Sequence, residues 1–90
     1  MTKQERLMLI ESSKAQVLSS LAAFEAAGER CLTLEKGVTR AQVREQVGIW
    51  AAARQAYGLA RISHDRVLSE HATFPFGWGG GYCVKEDDAV

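Results

Sequence analysis

From Val43 onward every seventh residue is a ring or a branched chain: Val43, Trp50, Tyr57, His64, His71. Seven residues make nearly two full turns of an α-helix, so these five side chains form one stripe on a single helix. A second stripe occupies the first third of the chain, where Leu7, Ile10, Val17, Leu21 and Phe24 recur at helical spacing and only Lys14 interrupts them. The lysine stem can lie along apolar neighbours while its ammonium reaches water, so one such break is tolerable. Ser12, Ser13, Ser19 and Ser20 are expected to point mostly away from the stripe. The two stripes predict an all-α fold, an antiparallel hairpin of two long amphipathic helices.

Local signals divide the single expected domain, residues 1–90, into four parts. Residues 3–27 hold no Pro or Gly and are rich in strong helix formers, with Gly28 standing where a helix C′ residue would. Residues 28–38 form the connection, in which Leu32 and Leu34 are expected to tuck over the open end of the pair. Thr39-Arg40-Ala41-Gln42 has the spacing of a capping box, and Val38 and Val43 flank it as a hydrophobic staple. The second helix therefore spans 39–71. Gly58 is a candidate break, but the heptad phase passes through it undisturbed, which favours one continuous helix. Pro75 ends any helix before the last segment, 72–90, where Phe74, Phe76, Trp78, Tyr82 and Val84 surround a triple glycine. That pattern fits a small hairpin on the helices or an aromatic loop.

An apolar fraction of 47% argues against disorder. Much of it is alanine, which contributes little buried area, so two helices would struggle to bury Phe24, Trp50 and Tyr57 alone. Self-association into a dimeric four-helix bundle is the simplest remedy, and Ala53, Ala56 and Ala60 would let a second helix pair approach closely. The net charge of zero removes the strongest reason to expect a nucleic-acid partner. No stretch approaches a membrane span or a secretory leader, and two cysteines, Cys31 and Cys83, are too few for a disulfide framework. The expected setting is cytoplasmic, with no membrane partner.

Catalytic and metal chemistry find little support. His64 and His71 are seven residues apart, about 10 Å along one helix, too far for a shared tetrahedral zinc. Ser63-His64-Asp65 has the letters of a triad, but adjacent helical residues splay by about 100° and cannot converge. Asp65 is instead expected to pair with Arg61 one turn earlier. No cofactor, no metal and no enzyme activity are expected.

The functional candidates are cations and rings. All five cations of residues 40–71 are arginines, Arg40, Arg44, Arg54, Arg61 and Arg66, and they fall within an arc of about 140° on the helix. Arginine suits planar carboxylates, phosphates and aromatic faces. Phe76, Trp78 and Tyr82 add possible anchors for a partner. Residues 39–58 also resemble the first helix and turn of bacterial helix-turn-helix DNA-binding motifs, with Gly48 as the turn residue and Val43, Val47 and Ile49 at apolar positions. Arg44 and Arg54 stand where that motif packs small or apolar residues, and Trp50-Ala51-Ala52-Ala53 lacks groups to read base edges. A DNA-binding regulator therefore ranks second. The first expectation is a small interaction protein (a regulator, adaptor or inhibitor, of the kind phages and mobile elements encode). It would bind a larger protein or protein–nucleic-acid assembly through the arginine edge and the aromatic tail.

Overall fold

The computed structural model describes residues 1–86, apart from the Trp78 side chain; residues 87–90 lie outside it. Two helices, α1 (Lys3–Leu32) and α2 (Arg40–His71), run antiparallel along most of the molecule. Two-residue strands β1 (Ala72–Thr73) and β2 (Cys83–Val84) follow, with a single 3-10 turn at Trp78–Gly80 between them. The strands pair antiparallel, Ala72 with Val84 and Thr73 with Cys83. The shape is long and thin, 66 × 24 × 14 Å, with a radius of gyration of 18.5 Å. A compact chain of this length has about 12 Å. The helices thus form one layer, covered on neither broad side by described residues.

Both helices begin with reciprocal caps. Thr39 Oγ1 accepts from the Gln42 amide at 3.2 Å, and the Thr39 amide donates to Gln42 Oε1 at 2.8 Å. Thr2 and Glu5 make the same box on α1, at 3.1 and 3.4 Å, where the sequence reading had assigned no cap. α2 then continues through Gly48 and Gly58 without a break.

α1 corrects the expected boundary at residue 27, running on to Leu32. Gly28 is no terminator. It lies half-buried in the seam, where an added Cβ would sit 3.6 Å from the Trp50 ring. The helix stops at Thr33, whose amide and hydroxyl both donate to the Glu29 carbonyl, at 3.0 and 2.9 Å. Gly37, at φ 94°, then supplies the left-handed turn into α2. Leu34 is half-buried in this connection, but Leu32, the last residue of α1, is 89% exposed and covers nothing.

The seam itself also differs from the apolar stripe. It runs through Arg6, Ile10, Ser13, Val17, Ser20, Phe24, Ala27 and Cys31, and Leu7 is left exposed at its edge. On α2, Trp50, Tyr57 and Leu68 face inward, whereas Val43 and Val47 stay exposed. The cause is polar pairing across the helices. Arg6 Nη1 meets His71 Nδ1 at 2.9 Å, Ser13 Oγ meets His64 Nδ1 at 2.7 Å, and Cys31 Sγ donates to the Gln46 carbonyl at 3.4 Å. Arginine only donates, so His71 Nδ1 accepts. The Ser13 proton goes to the Ile10 carbonyl at 2.9 Å, which leaves its oxygen to accept from His64. A buried arginine with a fitted acceptor is tolerated where an unpaired one is not.

Among the described residues Ile10 is the one large side chain with no exposure at all. It anchors a cluster with Leu68 and Ala72, against which Val67, Phe74 and Val84 pack. This is where the strands fold back onto the helix ends, and Lys3 bonds Glu86 across the same end at 3.4 Å. Midway along the hairpin, Phe24 packs on both Trp50 and Tyr57, at centroid distances of 5.8 and 5.9 Å.

Candidate interaction faces

The cross-helix pairs set which flank of the hairpin each remaining residue occupies. Trp50 and Tyr57 lie in the seam, and Arg54 and Arg61 follow them by one turn. Each guanidinium lies over the preceding ring, 5.6 Å from Trp50 and 5.7 Å from Tyr57. Such contacts are worth about 0.5–1 kcal/mol at exposed sites, enough to bias a rotamer without hiding the donors. The expected Arg61–Asp65 pair does not form among the described residues, because Arg61 turns back toward Tyr57.

Arg40, Arg44, Arg54, Arg61 and Arg66 are all exposed. None makes an ion pair or side-chain hydrogen bond with a described residue. Arg40, Arg54 and Arg61 share one flank, separated by whole heptads. Arg44 lies further round on the same side. Arg66 sits about 140° around the helix from Arg61, in line with Leu59 one heptad earlier. Val47 stands one heptad after Arg40 and one before Arg54. There it joins Gly28, Cys31, Leu32 and Trp50 around an open apolar hollow of ≈ 350 Å³. An apolar hollow flanked by guanidiniums with uncommitted donors matches an apolar anchor set among carboxylates.

The aromatic tail is elsewhere. Phe74 is half-buried and meets the Tyr82 ring at 6.2 Å, so these two rings fold onto each other at the end of the helices. Phe76 is 84% exposed and Tyr82 39%. The Trp78 side chain lies outside the described residues. Arg40 and His71 are the two ends of α2, about 47 Å apart at 1.5 Å per residue. The tail and the first arginines therefore do not form one compact site. Only a partner spanning most of the hairpin reaches both.

The polar seam was not foreseen as a unit, and its Ser13–His64 contact has the look of a nucleophile and base. Ser13 spends its proton on a backbone carbonyl, and no described carboxylate bonds the far side of the His64 ring. Asp65, the neighbouring acid, is exposed. Among the described residues no three His, Cys, Asp or Glu side chains gather to hold a metal ion. No described helix is long and apolar enough to cross a membrane. The turn that a helix-turn-helix requires at Gly48 is absent, since α2 is helical on both sides of it. No protein family matches this chain, and no curated protein or solved structure is detectably similar to it.

Proposed function

We propose that this chain is a non-catalytic protein-interaction module, a regulator, adaptor or inhibitor. It works as a pair of copies and docks on an acidic surface of a larger partner. The observation that carries this reading is the arginine flank. Its guanidiniums have no acidic partner among the described residues, two rest on aromatic faces, and an apolar hollow opens between Arg40 and Arg54. Surface arginines in a neutral protein ordinarily collect nearby carboxylates. These make no such pair with a described residue. The exposed Phe76 and Tyr82 rings at the far end supply a second point of contact for an elongated partner. DNA binding loses its recognition motif once α2 is continuous, which favours a protein partner over a duplex.

Capture from native lysate on the immobilised chain tests the reading. Arg54→Glu with Arg61→Glu reverses two charges beside the hollow, whereas Arg66→Glu makes the same change away from the arginine flank, in line with Leu59. The expected result is loss of the captured partner with the first variant only. An unchanged set of partners would remove the arginine flank from the reading. Binding of mixed-sequence duplex that weakens steeply with salt would replace it by a nucleic-acid function.

A further inference from the structure

The hairpin exposes 6843 Å². A compact protein of 9.9 kDa exposes roughly 5,200 Å², so this chain carries an excess of about 1,600 Å². Obligate homodimers remove roughly 1,000–2,500 Å² from each subunit. The excess is of the size a second copy covers.

The charges select the flank. Along the central stretch, from Ser12 to Gly28 on α1 and, opposite it, from Ile49 to Asp65 on α2, there are five charged residues: Lys14, Glu25, Arg54, Arg61 and Asp65. At about 100° per residue, measured from the seam, all five project to the same side of the hairpin. Within this stretch the opposite flank carries Gln16 and Ala23 from α1, and Ile49, Ala56 and Leu59 from α2, with no charge among them; Leu9 lies just beyond it, and Arg30 and Arg66, one heptad after Ala23 and Leu59, bound the run. Leu9 is 41% exposed, Ile49 42% and Leu59 60%, so large apolar side chains on this flank still face solvent. Near one end, Met1, Glu5, Met8, Leu9 and Ser12 line an open depression of ≈ 440 Å³ on this flank. Desolvating an ion is expensive unless it is paired. A self-complementary interface must desolvate every group twice, once per copy, so it settles on the flank whose central run holds no ions.

We infer that a second copy of this chain packs on the flank bearing Leu9, Ala23, Ile49, Ala56 and Leu59, leaving the arginine flank open on the outside of the pair. The inference rests on the paired-copy reading above and gives it a surface. Ala23 and Ala56 let the helix axes of the two copies come within about 8–10 Å, while Leu9, Ile49 and Leu59 fill the spaces between. The result is a four-helix arrangement with two outward arginine flanks, able to hold a partner at two points.

Light scattering on the eluting peak reads the mass directly. The full chain is expected at twice 9.9 kDa. Ala56→Glu and, separately, Leu59→Lys place a charge on the uncharged flank and are expected to halve that mass. Leu18→Glu, on the arginine flank and 57% exposed, leaves it unchanged. Both positions on α2 are exposed, so each variant keeps its helical circular dichroism, which is recorded alongside. A wild-type chain eluting as a single copy would overturn the paired-copy reading together with this inference. A wild-type pair that survives both α2 substitutions would overturn the choice of flank alone, and dissociation by Leu18→Glu would move the interface to the arginine side.

Discussion

Replacing Gly48 and Gly58 by alanine tests the continuity of α2, on which the alignment of the arginines depends. Both glycines lie inside the helix, and a Cβ built at either meets no atom within 4 Å. Neither has the positive φ that would make an alanine strained. Glycine in a helix interior costs about 0.8–1.0 kcal/mol relative to alanine, chiefly because it leaves the unfolded chain more conformations to lose. The sites are ten residues apart, about 15 Å along the axis, so their effects should add. The double variant is therefore expected to gain roughly 2 kcal/mol. For a chain of this size that raises the melting temperature by roughly 8–16 °C. Thermal melts followed by far-ultraviolet circular dichroism, at one fixed chain concentration because pairing of copies would shift the midpoint, read this directly. Both glycines lie away from the uncharged flank, so the gain does not depend on that interface. A Gly58→Ala variant that melts at or below the wild-type temperature would mean the chain bends there. Arg54 and Arg61 would then no longer share a line.

Three further perturbations address the seam and the tail. Ile10→Ala, at the one fully buried large side chain among the described residues, is expected to cost roughly 2–5 kcal/mol in urea unfolding, whereas Leu18→Ala should change stability little. Gly80→Ala would place a Cβ 2.6 Å from the Phe76 Cβ, so the turn must open; faster protease cleavage between Phe74 and Val84 with unchanged helix content is the expected sign. His71→Leu removes the acceptor of the buried Arg6 Nη1 and should cost about 1–3 kcal/mol, while Arg6→Leu with His71→Leu should recover most of it; equal stability of His71→Leu and wild type would refute the pairing.

The parts of the fold legible in the sequence are those fixed by local chemistry. The Thr39–Gln42 box lies within four residues, and the heptad phase through Trp50 and Tyr57 follows from helical geometry alone. Thr2 and Glu5 carry the same cap spacing and were equally readable. What escaped was settled across the helices. Leu7 looked like the seam residue because it is apolar, yet Arg6 occupies that place because His71 lies opposite to receive it. Ser13 turned inward for the same reason, toward His64. Gly28 reads as a helix end by type, and only the ring of Trp50, 22 residues on, explains a glycine inside the helix. At the site, the i to i+4 spacing of Trp50–Arg54 and Tyr57–Arg61 was visible. The hollow beside Trp50 was not, because it is built from both helices.

The polar pairs also determine the stagger of the hairpin, and the stagger determines its two flanks. In Arg6–His71, Ser13–His64 and Cys31–Gln46 the residue numbers add to the same total, so all three belong to one register. The alanines in the seam would accept others, since small side chains slide past one another with little loss of contact. Arg6 does not, because a slip of one heptad removes His71 from it and leaves a buried guanidinium without that acceptor. The observed register sets the uncharged run of α1 beside the uncharged run of α2. A slip of one heptad would carry Arg30 opposite Arg54 in one direction and Glu5 opposite Asp65 in the other. A polar seam that contributes little net stability thereby decides how the two helices align along their length.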